Sequence, residues 1–267
     1  MHIALLGTGN MGRAIIQGLL DADPSVSLTV YDILPQACGR LPERVLVKPP
    51  QEWFSGKESP DAVILAVKPA DIGTAAASLY AVFKKSPSAP LIISIAAGVN
   101  IASLRECTGN EVRICRVMPN TPAKVGHAMS AYACSETCSD GDRLLVNKVF
   151  SACGRAVEVP EKLLHAVTGL SGSGPAYVFL FIEALIEGGV TAGLPYAVAR
   201  ECAVQTVLGA AMMVQQSDEH TGAFKAAVMS PGGTTAAGLR ALEEGAFKHA
   251  VINAVTSATE RSIQLGS

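Results

Sequence analysis

Apolar runs recur along the first 160 residues of the chain and then stop. Residues 3–6, 27–31, 61–67 and 91–95 are short and rich in Ile, Val, Leu and Ala, the pattern of strands buried on both faces of a parallel sheet. Residues 112–118, 131–133 and 156–159 predict further strands, and the stretches at 11–20 and 139–150 predict helices. The third run stops at Lys68-Pro69, where proline ends the strand and starts a turn. After the run at 112–118, the two prolines of Pro119-Asn-Thr-Pro122 fix a loop rather than a helix. Strands and helices that alternate in this way predict a doubly wound α/β fold.

Beyond Pro160 no strand run appears, and alanine, leucine and methionine dominate at helical spacing, so this part is predicted to be all helix. Residues 175–188 are apolar at Val178, Phe179, Leu180, Phe181, Ile182, Leu185 and Ile186, and Glu183 and Glu187 are their only charges, in one narrow stripe. A helix apolar nearly all round must be covered on most faces, and a region of about a hundred residues can hardly supply that cover alone. The expectation is a homo-oligomer whose helical domains pack together; a deep core within one chain is the alternative.

Candidate chemistry begins where the first run ends. Gly7, Gly9 and Gly12 follow it in G-x-G-x-x-G spacing, just before the first helix. Gly7 permits the turn, Gly9 lets the backbone approach a pyrophosphate, and Gly12 lets the helix lie against the sheet with its N–H groups aimed at phosphates. A glycine-rich turn that binds nothing is the alternative, but the position straight after a strand favours a dinucleotide site. Asp32 closes the second run, 25 residues beyond Gly7. An acid there holds the adenine-ribose hydroxyls and repels the 2′-phosphate of NADP, which leans the cofactor towards NADH, although an arginine such as Arg40 can fold over a phosphate. Ligands of an open parallel sheet sit outside the carboxyl ends of its strands, so residues 66–69 and 96–98 should line the crevice with the glycines. Lys68 is read there as positioning the cofactor's negative charge rather than as a catalytic ammonium. A second glycine-rich turn, Ser230-Pro-Gly-Gly-Thr-Thr235, leads into a helix at 236–244. Thr234 or Thr235 is its natural N-cap, and exposed N–H groups at such a start make an anion site.

Composition narrows the classes. With 267 residues, 49% hydrophobic and 16% charged, the chain fits one long globular domain or two of ordinary size. Its 21 Lys plus Arg against 23 Asp plus Glu, with no basic run, exclude the footprint of a nucleic-acid binder and leave small molecules or copies of itself as partners. The 7 Cys lack C-x-x-C pairs and the 5 His lack H-E-x-x-H spacing, which predicts reduced, mostly buried thiols and no metal site. Cys134 and Cys138, the closest pair, have no histidine at ligand spacing. The N-terminus enters a strand without a basic n-region, and Ser171-Gly-Ser-Gly-Pro175 is expected to break an apolar stretch at 163–182 that otherwise approaches membrane-spanning length. A cytoplasmic protein without a membrane segment is expected.

Five motifs, taken together, resemble one family. Gly7-Thr-Gly-Asn-Met-Gly12, Ala66-Val-Lys-Pro69, Met118-Pro-Asn-Thr-Pro122, Val167-Thr-Gly-Leu-Ser-Gly-Ser-Gly-Pro-Ala-Tyr177 and Ser230-Pro-Gly-Gly-Thr-Thr235 stand in the order and spacing of pyrroline-5-carboxylate reductases, over almost the whole chain. The last two are far more specific than the first, which many dehydrogenases share. The resemblance implies an NAD(P)-binding Rossmann domain at 1–160 and a helical dimerisation and substrate domain at 161–267, which interlocks with its copy in a dimer and in some members builds to a decamer. It implies hydride transfer from NADPH or NADH to the imine of Δ1-pyrroline-5-carboxylate, giving L-proline. Gly7, Thr8, Gly9, Asn10, Met11, Gly12, Ala66, Val67, Lys68, Pro69 and Ala97 carry over as cofactor contacts, beside Asp32. Ser230, Gly232, Gly233, Thr234 and Thr235 carry over as substrate contacts, with Glu161 by position alone and the Thr235 hydroxyl as a proton relay to the ring nitrogen. Two departures stand out. His165 replaces an expected aspartate ahead of Ala-Val-Thr, which touches a polar contact below the substrate, and residues 49–52 lack the asparagine often found near the adenosine, which touches cofactor preference. The rival readings are a related imine or hydroxy-acid reductase and a non-catalytic cofactor-sensing dimer. The hydroxy-acid enzymes usually carry a lysine on the first long C-terminal helix, and residues 175–188 have none.

Overall fold

In chain order the first elements are β1 (His2–Leu6), α1 (Asn10–Ala22), β2 (Ser27–Tyr31), α2 (Pro35–Cys38), β3 (Leu46–Val47), α3 (Pro50–Trp53), β4 (Ala62–Leu65) and α4 (Ile72–Phe83). They are followed by β5 (Leu91–Ser94), α5 (Ile101–Thr108), β6 (Ile114–Met118), β7 (Ala128–Cys134), α6 (Asp140–Ser151), β8 (Gly154–Glu158) and α7 (Leu164–Val167). The last helices are α8 (Gly174–Thr191), α9 (Tyr196–Gln215), α10 (Thr221–Ala227), α11 (Thr234–Glu244) and α12 (Phe247–Leu265). The structure, a computed structural model, describes residues 1–39, 41–54, 59–84, 86 and 89–266. Two compact units divide the chain, one of Met1–Ser173 with Ser257–Ser267 and one of Gly174–Thr256.

The strands of the first unit form one sheet in the order β3-β2-β1-β4-β5-β6-β7-β8, parallel throughout except between β6 and β7. The order reverses at β1, which pairs with β2 on one side and β4 on the other, and that reversal opens a crevice at the carboxyl ends. Side chains alternate between the two faces. Ile3 and Leu5 pack in the layer that holds Ile15, Leu19 and Phe150, whereas Ala4 and Leu6 pack in the layer that holds Ile72, Leu79 and Phe83. Both faces are covered, which is why the runs in the sequence are continuous rather than alternating. The doubly wound arrangement expected from the sequence is the one observed.

Several local expectations change. Residues 119–122 were expected to be all loop, but Thr121–Val125 is a short 3-10 turn with Pro122 in its first turn, where the missing N–H costs no bond. The predicted strand at 131–133 extends to Ala128–Cys134, and the exposed two-residue edge strand β3 carries too little pattern to be read. The change in composition at Pro160 does not coincide with the division between units. Leu164 is fully buried with Ala131 and Ala133, and His165 Nδ1 lies 3.0 Å from Ser262 Oγ, so residues 161–173 and the chain end pack with the sheet despite their helical texture.

Ser171–Pro175 was expected to break the helix. Instead the winding widens into a π-turn at Thr168–Gly172 and resumes in α8. As a result Glu161–Thr191 joins Tyr196–Gln215 as a stretch long and apolar enough to cross a membrane by length and composition alone. In the second unit α8 buries no residue, and Phe179 and Leu180 are 64% and 67% exposed. The single chain therefore leaves uncovered the helix whose sequence demands cover.

All seven cysteines are free thiols, but only Cys115, Cys138 and Cys153 are buried and Cys202 is exposed, so the expectation of mostly buried thiols holds for a minority. Cys134 Sγ lies 3.3 Å from Cys115 Sγ across the β6–β7 ladder. That hydrogen bond, with burial, pushes the Cys134 thiol up to about 12, which keeps it protonated and weakly nucleophilic.

Candidate active site

The glycine turn between β1 and α1 is shaped by contacts that tolerate no side chain. Gly7 has φ +98°, and a Cβ there would lie 2.5 Å from Ala66 O, so the turn presses directly on the end of β4. A Cβ on Gly12 would lie 2.3 Å from Gly7 O, so this glycine admits the helix against the turn more than against the sheet itself. Gly9 differs, because a Cβ there would meet nothing within 4 Å. It is the N-cap of α1 and makes no side-chain cap bond, so the first N–H groups of the helix face that open space. Open room over a helix start fits a pyrophosphate, and the residues present therefore suit a dinucleotide.

Asp32 stands at the end of β2, as expected, but much of its carboxylate is engaged within the protein. Oδ2 accepts from Thr8 N at 2.7 Å and from Thr8 Oγ1 at 3.1 Å, and Oδ1 accepts from Leu34 N at 3.0 Å. Burial opposes its ionisation, but these hydrogen bonds and the charge of Arg13 outweigh it and hold the carboxyl below the usual aspartate range. The folded value is depressed, so the stabilisation is present above the unfolded pKa and is lost only as pH falls through the folded one. Each carboxylate oxygen has room for two donors, so Oδ1 keeps one site for a ribose hydroxyl. Arg13, which sequence reasoning missed although it adjoins Gly12, braces the same turn through Nε to Thr8 O at 2.9 Å and Nη2 to Ala37 O at 2.6 Å. Arg40 lies outside the described residues.

A cleft of about 390 Å³ runs from Gly7 past Tyr31, Asp32 and Ile33 to Val67 and Asp71. Its described lining contains two carboxylates and no Lys or Arg. Asn10, Lys68, Pro69 and Ala97 are exposed, Met11, Ala66 and Val67 half-buried and Thr8 buried, all at or next to the carboxyl ends of β1, β4 and β5.

Glu161 lines a second cleft with Ile101, Arg105 and Asn110. Its Oε1 accepts from Ile101 N at 2.8 Å, at the start of α5, and from Arg116 Nη1 at 3.3 Å. The Arg116 side chain is only 4% exposed, so Glu161 is what neutralises it. Glu161→Ala is expected to lower stability by about 1–3 kcal/mol, because it strands a buried donor, while Glu161→Gln restores the Ile101 bond and part of that loss. Thermal melts of the three proteins test this, and equal midpoints would remove the structural role.

The second unit holds the other glycine turn. Gly233 N donates to Ser230 O at 2.9 Å across Pro231 and Gly232, and Gly232 has φ +68°, the proline-glycine pattern of a type II turn. The expected N-cap is corrected here. Gly233 is the cap, with no side-chain bond, and Thr234 and Thr235 are the first two residues of α11. The turn turns the chain sharply enough to start the helix at Thr234, which leaves both hydroxyls and the first N–H groups at its mouth. Thr235 is half-buried and Thr234 exposed. Thus the cofactor candidates and Glu161 lie in the first unit, and the candidates at 230–235 lie in the second.

A family model described as pyrroline-5-carboxylate reductase dimerisation matches residues 161–265, and one described as NADP oxidoreductase, coenzyme F420-dependent, matches residues 2–98. The pyrroline-5-carboxylate reductase of Arabidopsis thaliana is 47% identical over 78% of this chain and 74% of that protein. That of Synechocystis is 39% identical over 100% of this chain and 98% of that protein. Among solved structures, the Plasmodium falciparum pyrroline carboxylate reductase with NADP bound is 34% identical, with a TM-score of 0.87, covering 100% of this chain and 98% of that one.

Proposed function

The chain belongs to the pyrroline-5-carboxylate reductase family, and from that premise we propose how its residues divide the work of reducing Δ1-pyrroline-5-carboxylate to L-proline. The chain is an oxidoreductase that uses a nicotinamide cofactor, and it carries a dimerisation domain. The bound cofactor supplies the hydride that adds to the imine carbon, while one proton goes to the ring nitrogen. The rest is positioning by the protein.

The reading of the substrate site rests on the 230–235 turn. Its free N–H groups suit the substrate carboxylate through hydrogen bonding and helix dipole together. The Thr235 hydroxyl stands at the same mouth and can bond the ring nitrogen and relay a proton to it, although its own pKa makes it no acid. Gly7, Thr8, Gly9, Asn10, Met11, Gly12, Ala66, Val67, Lys68, Pro69 and Ala97 are assigned to the cofactor and Ser230, Gly232, Gly233 and Thr234 to the substrate, and Glu161 is a further substrate candidate by position alone. Residues 161–267 act as the helical dimerisation and substrate domain of a homodimer, and the exposed apolar faces of α8 and α9 are what a second copy covers. An apolar surface of that kind has the same explanation here without a membrane. Following absorbance as NADH or NADPH is oxidised with pyrroline-5-carboxylate tests the activity; no oxidation of either cofactor would overturn it.

We place NADH ahead of NADPH. Asp32 is ionised at any physiological pH, and the adenosine cleft offers no described cation to a 2′-phosphate. Asp32→Ser is expected to shift the ratio of kcat/KM values towards NADPH by about tenfold or more, since relief of ~1.4 kcal/mol of repulsion suffices. A ratio that does not move would take Asp32 out of cofactor selection.

A further inference from the structure

The π-turn at Thr168–Gly172 departs from regular α-helical winding, and no role assigned so far uses it. A helix widened to i→i+5 bonding is rare and recurs at functional sites. Here Ser173 N donates to Thr168 O at 2.8 Å, the wide bond of the turn. Asn120, which is 8% exposed and lies two residues beyond Met118 at the carboxyl end of β6, fastens the turn to the sheet. Asn120 Nδ2 donates to Ser171 O at 3.0 Å, and Asn120 Oδ1 accepts from Met129 N at 2.9 Å at the start of β7. The orientation of the amide is forced, because one partner is a carbonyl and the other an N–H. An ionised Asp offers no donor and the Ser hydroxyl is a single, shorter-reaching group, so neither reproduces the pair. A second contact fits the turn to the same strand end: a Cβ on Gly172 would lie 2.6 Å from Met118 Cε.

We propose that Asn120 is a positioning residue for the reduction, which clamps the π-turn to the carboxyl end of β6 and so fixes one wall of the crevice where the nicotinamide end of the cofactor belongs. The crevice side follows from the sheet: β4, β5 and β6 end in turn beside one another, and ligands of such sheets lie outside those ends. Neither Asn120 nor the turn is asked to touch the reacting atoms. The inference rests on the reductase reading only for its kinetic arm.

The experiment compares the unmodified chain with Asn120→Asp, which keeps the acceptor for Met129 N–H and puts a carboxylate where Ser171 O needs a donor. Three readouts are taken: hydrogen exchange of the segment 168–173, cofactor Kd by fluorescence, and kcat. The expected result is faster exchange in 168–173, a cofactor Kd unchanged within about twofold, and kcat lower by about 10- to 10²-fold, the scale on which small displacements of a reacting group act. Exchange that does not change overturns the clamp. Faster exchange with unchanged kcat, or kcat and Kd that worsen together as the melting midpoint falls, overturns the positioning role. If the unmodified chain oxidises neither cofactor, the reductase reading fails, while the exchange arm still decides whether Asn120 holds the turn.

Discussion

Thr235→Ala is expected to lower kcat by about 10²-fold, the usual worth of one proton-transfer group. The imine nitrogen must gain a proton as the hydride arrives, and the Thr235 hydroxyl is the side-chain group that the reading places against it. The substitution should leave the fold intact. Thr235 is the second residue of α11, half-buried, and caps nothing, because the cap is Gly233 without a side-chain bond. Its removal therefore deletes no helix-stabilising contact, and alanine is the better helix former. Three comparisons isolate the hydroxyl. Thr235→Ser should recover most of the rate, Thr234→Ala should cost far less, and KM for the cofactor should stay near the unmodified value in all of them. Unchanged kcat in Thr235→Ala would end the relay assignment, and a collapse of KM and kcat alike in Thr235→Ser would show that the methyl, not the oxygen, matters.

What could be read in advance depended on how local the cause was. The strands at Ile3–Leu6 and its parallel partners were legible because a strand covered on both faces must be apolar at every position, and the sheet covers both. The helical second half was legible for the same kind of reason, as periodicity without strand runs. The helix cap was misread because Ser, Thr and Gly compete for such positions, and the choice of Gly233 is made by the Pro231-Gly232 turn, which fixes where the helix can start. Glu161, Arg116 and Ile101 are drawn together by the fold from positions 45 and 60 residues apart, so no window of sequence could pair them. The π-turn escaped for a different reason. Gly, Ser and Pro in residues 171–175 read as a break, but tertiary contacts through Asn120 hold the chain in a wider helix instead.

The glycine turn offers the second large effect, because its three glycines serve for separable reasons. Gly12→Ala should lower stability by about 1–3 kcal/mol, as overpacking does, since the new Cβ would lie 2.3 Å from the carbonyl oxygen of Gly7 and that atom is backbone, unable to swing aside. Cofactor binding should weaken with it, as the turn is displaced. Gly9→Ala should behave otherwise. Gly9 has φ −67° and ψ −168°, which any residue can adopt, and the space before it is open. The folded chain should therefore melt at the same temperature or slightly higher, since alanine narrows the unfolded ensemble. Yet KM for the cofactor should rise by about tenfold or more, because a methyl group would occupy the approach of the pyrophosphate to the first N–H groups of α1, and the loss of ~1.4 kcal/mol there is enough. Melting midpoint and cofactor KM, measured on both variants, should thus move together in one and apart in the other. A Gly9→Ala chain that binds the cofactor like the unmodified one would mean that the pyrophosphate does not lie over the start of α1, and the assignments to Gly7, Thr8, Asn10 and Met11 would fall with it.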